Sequence, residues 1–362
     1  MNLQLIEESV SKLFNTTTDN YIFIYTPPKV GSTTLVTSLR VSMGKSYNIV
    51  HIHDETMLSV LTGINNVKIN DIIYFLARTG KNIYVIDVYR TPVERKMSEY
   101  FEKLSPYHFN NTEENIVKYS MQRITDRFNK LFPHLENGDH YFEQYNIEEP
   151  IPFDFEKKYT LQEINNIKYI KLRLCDSELW SSILSNIFKS DIIIIHDYKT
   201  ENKGIGELYR SFKRKYILPV NYVELIQKCK YFNFYYNEEE RNKYLQSWCQ
   251  KLAHIFTPYT EIEYKFYINL CLENQYIYDI QIDHYIDNGC FCKYCTEKRK
   301  EIYFKAKSGE KNFEKIIHRN VIHEVKVEKI KTIHNKIKTF IDGELSKKKF
   351  KPKQFKINIT NK

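Results

Sequence analysis

At 362 residues with 42% hydrophobic side chains, the chain holds enough apolar content for a substantial core, which excludes global disorder. Its charge is uneven: residues 298–362 carry 20 Lys or Arg against 7 Asp or Glu, a net +13, and residues 1–297 carry −4. No apolar run approaches the roughly 20 residues of a membrane helix, and the opening MNLQLIEESVSKLF lacks a signal-peptide core.

In chain order, Leu3 to Phe14 has helical apolar spacing, and YIFIY (Tyr21 to Tyr25) is the short continuous apolar run of a strand buried on both faces. A helix is predicted from Leu35 to Met43, a second strand from Asn48 to Ile52, and a helix over Asp71 to Arg78 that Gly80 ends. Ile83 to Val88 reads as a third strand and residues 93–104 as a helix. Strands are predicted again at Lys168 to Leu174 and Asp191 to His196, flanking a helix over Leu179 to Phe188, with 207–256 helical. This alternation predicts an α/β domain over 1–256, a parallel sheet covered by helices. A C-terminal extension over 257–362, Cys-containing and Lys-rich, completes the chain. Seven cysteines, four of them isolated, fit a reducing compartment, so a soluble cytoplasmic protein is expected.

Two segments carry chemistry. In YIFIYTPPKVGSTTL a buried strand runs through a tight loop into a helix start, where unsatisfied backbone N–H groups form an anion site. Gly31 permits close approach of backbone to a phosphate, Ser32, Thr33 and Thr34 add hydroxyls, and Lys29 adds a point charge. The loop departs from GxxxxGK[ST] in placing its Lys two residues before its one Gly, which is poor as an ATPase signature. In IYVIDVYRTPVERKMSEYF a strand runs into Arg90, then Thr91-Pro92, then a helix with Ser98 eight residues after Arg90. A guanidinium fork and a hydroxyl so placed can converge on one dianion, and Arg95 adds positive charge nearby. Asp87 occupies the strand-end position of the Mg-binding Asp of ATPases, although a strand-end acid is ordinary.

Pro28-Lys29-Val30-Gly31-Ser32-Thr33 resembles the 5′-phosphosulfate loop of sulfotransferases that use 3′-phosphoadenosine 5′-phosphosulfate (PAPS), with Val30 where a Ser is frequent. Arg90, Pro92 and Ser98 resemble the 3′-phosphate motif of the same family, about sixty residues downstream and in the same order. More diffusely, residues 168–250 look like sulfotransferase-like proteins of capsular polysaccharide synthesis. The resemblance spans roughly residues 20–250 and implies a three-layer P-loop-like fold. It also implies PAPS as co-substrate and sulfuryl transfer to a hydroxyl acceptor such as a glycan. Lys29 would then stabilise the leaving nucleotide. The base would come from the end of the second strand, His51-Ile52-His53-Asp54-Glu55, with His53 favoured over Glu55 and Glu55 over His51.

In the extension, His284 with Cys290, Cys292 and Cys295 has the donor set of a tetrahedral structural zinc site, although the second Cys-x-x-Cys is missing. The basic tail can attract an anionic partner. Two other functions compete: a nucleotide-dependent kinase or NTPase, and a non-catalytic nucleic-acid-binding protein working through this extension.

Overall fold

The computed structural model describes residues 3–14, 18–104, 108–109, 113–195, 204–248, 254–261 and 263–264. Its centre is a five-stranded sheet of β1 Asn20–Tyr25, β2 Asn48–Ile52, β3 Asn82–Tyr89, β4 Tyr159–Ile164 and β5 Ile167–Arg173, ordered β2-β1-β3-β5-β4. The first four strands of the chain's α/β alternation, β1, β2, β3 and β5, lie parallel. The sheet is nonetheless mixed rather than wholly parallel. Asn165 and Asn166, both left-handed at φ 51° and 63°, form a two-residue turn that folds β4 back antiparallel on β5.

Around the sheet lie α1 Leu3–Leu13, α2 Ser32–Met43, α3 Glu55–Thr62, α4 Ile69–Arg78, α5 Pro92–Glu102, α6 Glu113–Ile116 and α7 Met121–Leu131. They are followed by α8 His140–Glu143, α9 Trp180–Phe188, α10 Gly206–Lys215, α11 Val220–Gln227, α12 Lys230–Tyr235 and α13 Glu238–Trp248. Alternate residues of a strand face opposite ways, and the core divides accordingly. Tyr21, Phe23 and Tyr25 of β1 pack with α1, α3 and α4. Ile22 and Ile24 pack with Leu35, Val36 and Leu39 of α2 and with Ile183 and Leu184 of α9. A third cluster joins α5 and α7 to α10, α11 and α12 through Phe101, Phe128, Phe212 and Tyr222. Among the described residues no helix is long and apolar enough to cross a membrane.

Two predicted elements differ. Asp191 to Ile195 does not join the sheet, because the N–H groups of Ile193 and Ile195 donate to the hydroxyls of Ser42 and Ser38 on α2 (3.2 and 2.8 Å). The helical stretch 207–256 is broken into α10–α13, with extended residues at Tyr216, Pro219, Cys229 and Tyr236 turning the chain. Just beyond it, Tyr259 N–H donates to the Lys130 carbonyl and Lys130 Nζ to that of Thr257, holding residues 257–259 on α7. His284, Cys290, Cys292, Cys295 and the basic tail lie outside the described residues.

Consecutive cations on α5 hold the turn that leads into α8. Arg95 donates to the carbonyls of Asn137 and Gly138 and pairs with Glu136 (2.9 Å). Lys96 donates to the Leu135 carbonyl (2.6 Å) and Asn137 Oδ1 (2.9 Å). Burial pushes the Lys96 ammonium down to about 7, against the pull of Glu99 and with the push of Arg95. Its folded value lies below its unfolded one, so the unfolded chain binds the extra proton between the two. Lys96 therefore contributes stability at high pH that is lost as pH falls through about 7. Denaturant titrations from about pH 9 down to about pH 6 should show the Lys96→Met variant with a flatter decline than the wild type. Parallel profiles would contradict this.

Candidate functional site

Parallel pairing brings the C-terminal ends of four strands to one edge, with Tyr25 opposite Ile52 and Tyr89 opposite Arg173. In open α/β sheets this edge forms the ligand crevice. Thr26 is held there from both sides. Its N–H donates to the Ile52 carbonyl (3.3 Å), its hydroxyl donates to Asp87 Oδ1 (2.6 Å), and that hydroxyl accepts from Val88 N–H (3.1 Å).

Beyond Thr26 the loop turns through two left-handed residues, Lys29 at φ 66° and Gly31 at φ 94°. Val30 between them, at the position where the resembled loop frequently has a Ser, is fully buried against α2 and anchors the loop. Gly31 caps α2 at a φ that favours glycine, and a Cβ there would meet Leu174 Cδ1 at 2.7 Å and oblige that side chain to move. Ser32, Thr33 and Thr34 form the first turn of α2, whose amides lack intrahelical acceptors; Ser32 is buried and the two threonines are half-buried.

The two sequence segments meet at this loop. Arg90 Nη1 donates to the Lys29 carbonyl (2.9 Å). Lys29 Nζ pairs with Glu102 at the end of α5, a partner the sequence did not single out. Ser98 lies four residues before Glu102, on the same side of α5, and is nearly buried. Arg95, expected to add charge here, is instead committed to the 136–138 turn.

At the neighbouring strand end, His53 Nδ1 lies 2.6 Å from the Thr26 carbonyl. A carbonyl only accepts, so Nδ1 carries the proton and Nε2 presents a lone pair. The backbone of His53 is held as well, since His140 Nε2 donates to its carbonyl (2.7 Å). His51 lies within β2 opposite Ile24, with its ring 4.4 Å from that of His53 and nearly perpendicular. Asp54 caps α3 by accepting from Met57 N–H (2.7 Å), and Glu55 opens that helix exposed to solvent. Burial pushes the Tyr25 hydroxyl up, and the charges of Glu55, Asp54 and Asp87 push it further.

Beneath the loop lies a charge cluster. Lys171 of β5, fully buried, pairs with Asp87 Oδ2 (2.6 Å) and with Asp139. Asp87 also accepts from Val88 N–H (2.7 Å) and Tyr141 N–H (3.0 Å), and Asp139 accepts from the Tyr235 hydroxyl (2.9 Å). Burial pushes the Asp139 carboxyl up to about 6, with Lys171 opposing and Asp87 adding to the shift. Asp87 thus spends its oxygens on the fold, tying the loop to β5 and α8. The sequence signal is Lys171 itself, a charge set between Ile170 and Leu172 inside the strand-length run KYIKLRL. Among the described residues no group of three His, Cys, Asp or Glu side chains is placed to hold a metal.

No family model, curated protein or solved structure matches the chain.

Proposed function

We propose that the chain is a PAPS-dependent sulfotransferase on a three-layer P-loop-like scaffold. The observation that carries this is the contact between Arg90 and the Lys29 carbonyl, which joins the two anion-reading segments at one crevice. In this role the α2 amides with Ser32, Thr33 and Thr34 hold the 5′-phosphate, and Arg90 with Ser98 holds the 3′-phosphate. Lys29 leaves Glu102 when the nucleotide arrives and neutralises charge growing on the bridging oxygen. His53 Nε2 takes the acceptor hydroxyl proton as the new O–S bond forms. The S–O bond to phosphate breaks, and adenosine 3′,5′-bisphosphate leaves. The acceptor class is a hydroxyl-bearing molecule, with a glycan favoured by the resemblance of residues 168–250.

Calorimetric titration with adenosine 3′,5′-bisphosphate, using adenosine 5′-monophosphate as control, tests the donor site. Arg90→Ala should weaken the bisphosphate by roughly 10–100-fold, the loss of one or two charge-assisted bonds, and barely change the monophosphate. Equal affinity of the wild type for the two nucleotides would refute a PAPS site, and tight Mg-dependent ATP binding would favour the kinase alternative.

A further inference from the structure

At the opposite edge of the sheet, by the β4–β5 turn and the end of α4, lies a cavity of about 550 Å³. This is within the range of small-molecule sites. Its floor is aromatic: Tyr145 and Tyr169 are buried, with ring centroids 5.3 Å apart. Tyr74 of α4 adds a wall, its hydroxyl donating to the Tyr145 carbonyl (3.3 Å). The rim is polar, formed by the exposed side chains of Asn146, Asn165, Asn166 and Arg78. Left-handed backbone explains why asparagine suits those three turn positions. It does not occupy their amides, none of which bonds another group among the described residues. Among the described residues Arg78 makes no ion pair, and no carboxylate lines the cavity.

These features restrict the ligand. Each amide offers two donors and an acceptor, which suits vicinal hydroxyls. Tyr74, half-buried in the wall, offers its ring to the apolar face of a sugar, with Tyr145 and Tyr169 buried behind it. A lone guanidinium pairs a planar carboxylate through two parallel N–H groups. Arg78 is in the last turn of α4, whose negative dipole end lies beside it and disfavours a doubly charged phosphate. We propose that this cavity binds a sugar ring bearing one carboxylate, a uronic acid unit. The cavity opens at the start of β5 and the Gly31 loop follows the end of β1, and the buried Tyr145, whose hydroxyl donates to the Tyr25 carbonyl, stands between them. The same ring therefore cannot present its hydroxyl to that crevice, and the cavity is a second, anchoring site. It stands independently of the sulfuryl-transfer proposal.

Saturation-transfer NMR with the full chain and millimolar glucuronate tests it, with glucose and glucose 6-phosphate as the other arms. Glucuronate should receive saturation and bind about tenfold more tightly than glucose, and Arg78→Gln should remove that tenfold advantage. Tyr74→Phe keeps the ring and should leave glucuronate binding in place. Because Arg78 is exposed, its replacement should leave the affinity for adenosine 3′,5′-bisphosphate unchanged. Absence of transfer to glucuronate, equal binding of glucose, preference for the phosphate, or an Arg78→Gln variant as tight as wild type would each overturn the assignment.

Discussion

Replacing Lys171 by methionine should destabilise the chain by about 3–5 kcal/mol, the usual consequence of stripping the partner from a buried charge. Methionine fills nearly the same space, so packing accounts for little of this loss. What remains is electrostatic: Asp87 and Asp139 would face one another with no cation between them. The two carboxylates do not start out equal. Asp87 accepts from Thr26, Val88 and Tyr141, whereas Asp139 relies on Lys171 and Tyr235 for its side-chain oxygens' strongest donors, and burial already pushes its carboxyl up. Asp139 should therefore protonate in the variant, and the deficit should shrink as the medium is acidified. Adding Asp139→Asn should recover part of the loss, since a neutral amide can face Asp87. Urea unfolding of the single and double variants measures this. A single variant as stable as the wild type would show that the cluster contributes nothing net.

The same variant bears on the crevice. Asp87 fixes the Thr26 hydroxyl, Thr26 fixes the His53 ring, and α8, tied to Asp87 through Tyr141, fixes the His53 carbonyl through His140. Stability and site geometry thus share one set of bonds, and a loss at Lys171 should loosen the loop before it unfolds the chain.

Much of this frame was legible in the sequence because its signals are local. The strands beginning YIFIY and IYVIDV are apolar runs of strand length, and the turns after them carry Pro, Gly and Arg at short spacing. The element at 191–195 misled for a physical reason: its apolar residues do pack in the core, but serine hydroxyls of α2 take the backbone N–H groups a strand would have supplied to a ladder. The edge strand β4 is hard to read because half of YTLQEI is polar, as suits a strand at the edge of a sheet, although the Asn165-Asn166 turn announces a hairpin. Glu102, Asp139 and His140 were invisible for another reason. Each acts on a residue dozens of positions away, and spacing within one element says nothing about which carboxylate meets Lys29 or Lys171.

The second large effect is expected at His53. Its Nδ1–H is committed to the Thr26 carbonyl, so the ring is held in the tautomer that leaves Nε2 as a base. Asparagine at this position keeps an N–H for that carbonyl and removes the base, which separates chemistry from geometry. His53→Asn should lower sulfuryl transfer from labelled PAPS to a polysaccharide acceptor by roughly 10²–10⁴-fold, with nucleotide affinity unchanged. If Glu55 is the base instead, the two variants exchange effects, since Glu55→Gln then removes the group that takes the proton. Transfer in His53→Asn at the wild-type rate, with Glu55→Gln inactive, would therefore move the base to the start of α3 and leave His53 with the loop-holding role its bond to Thr26 already shows.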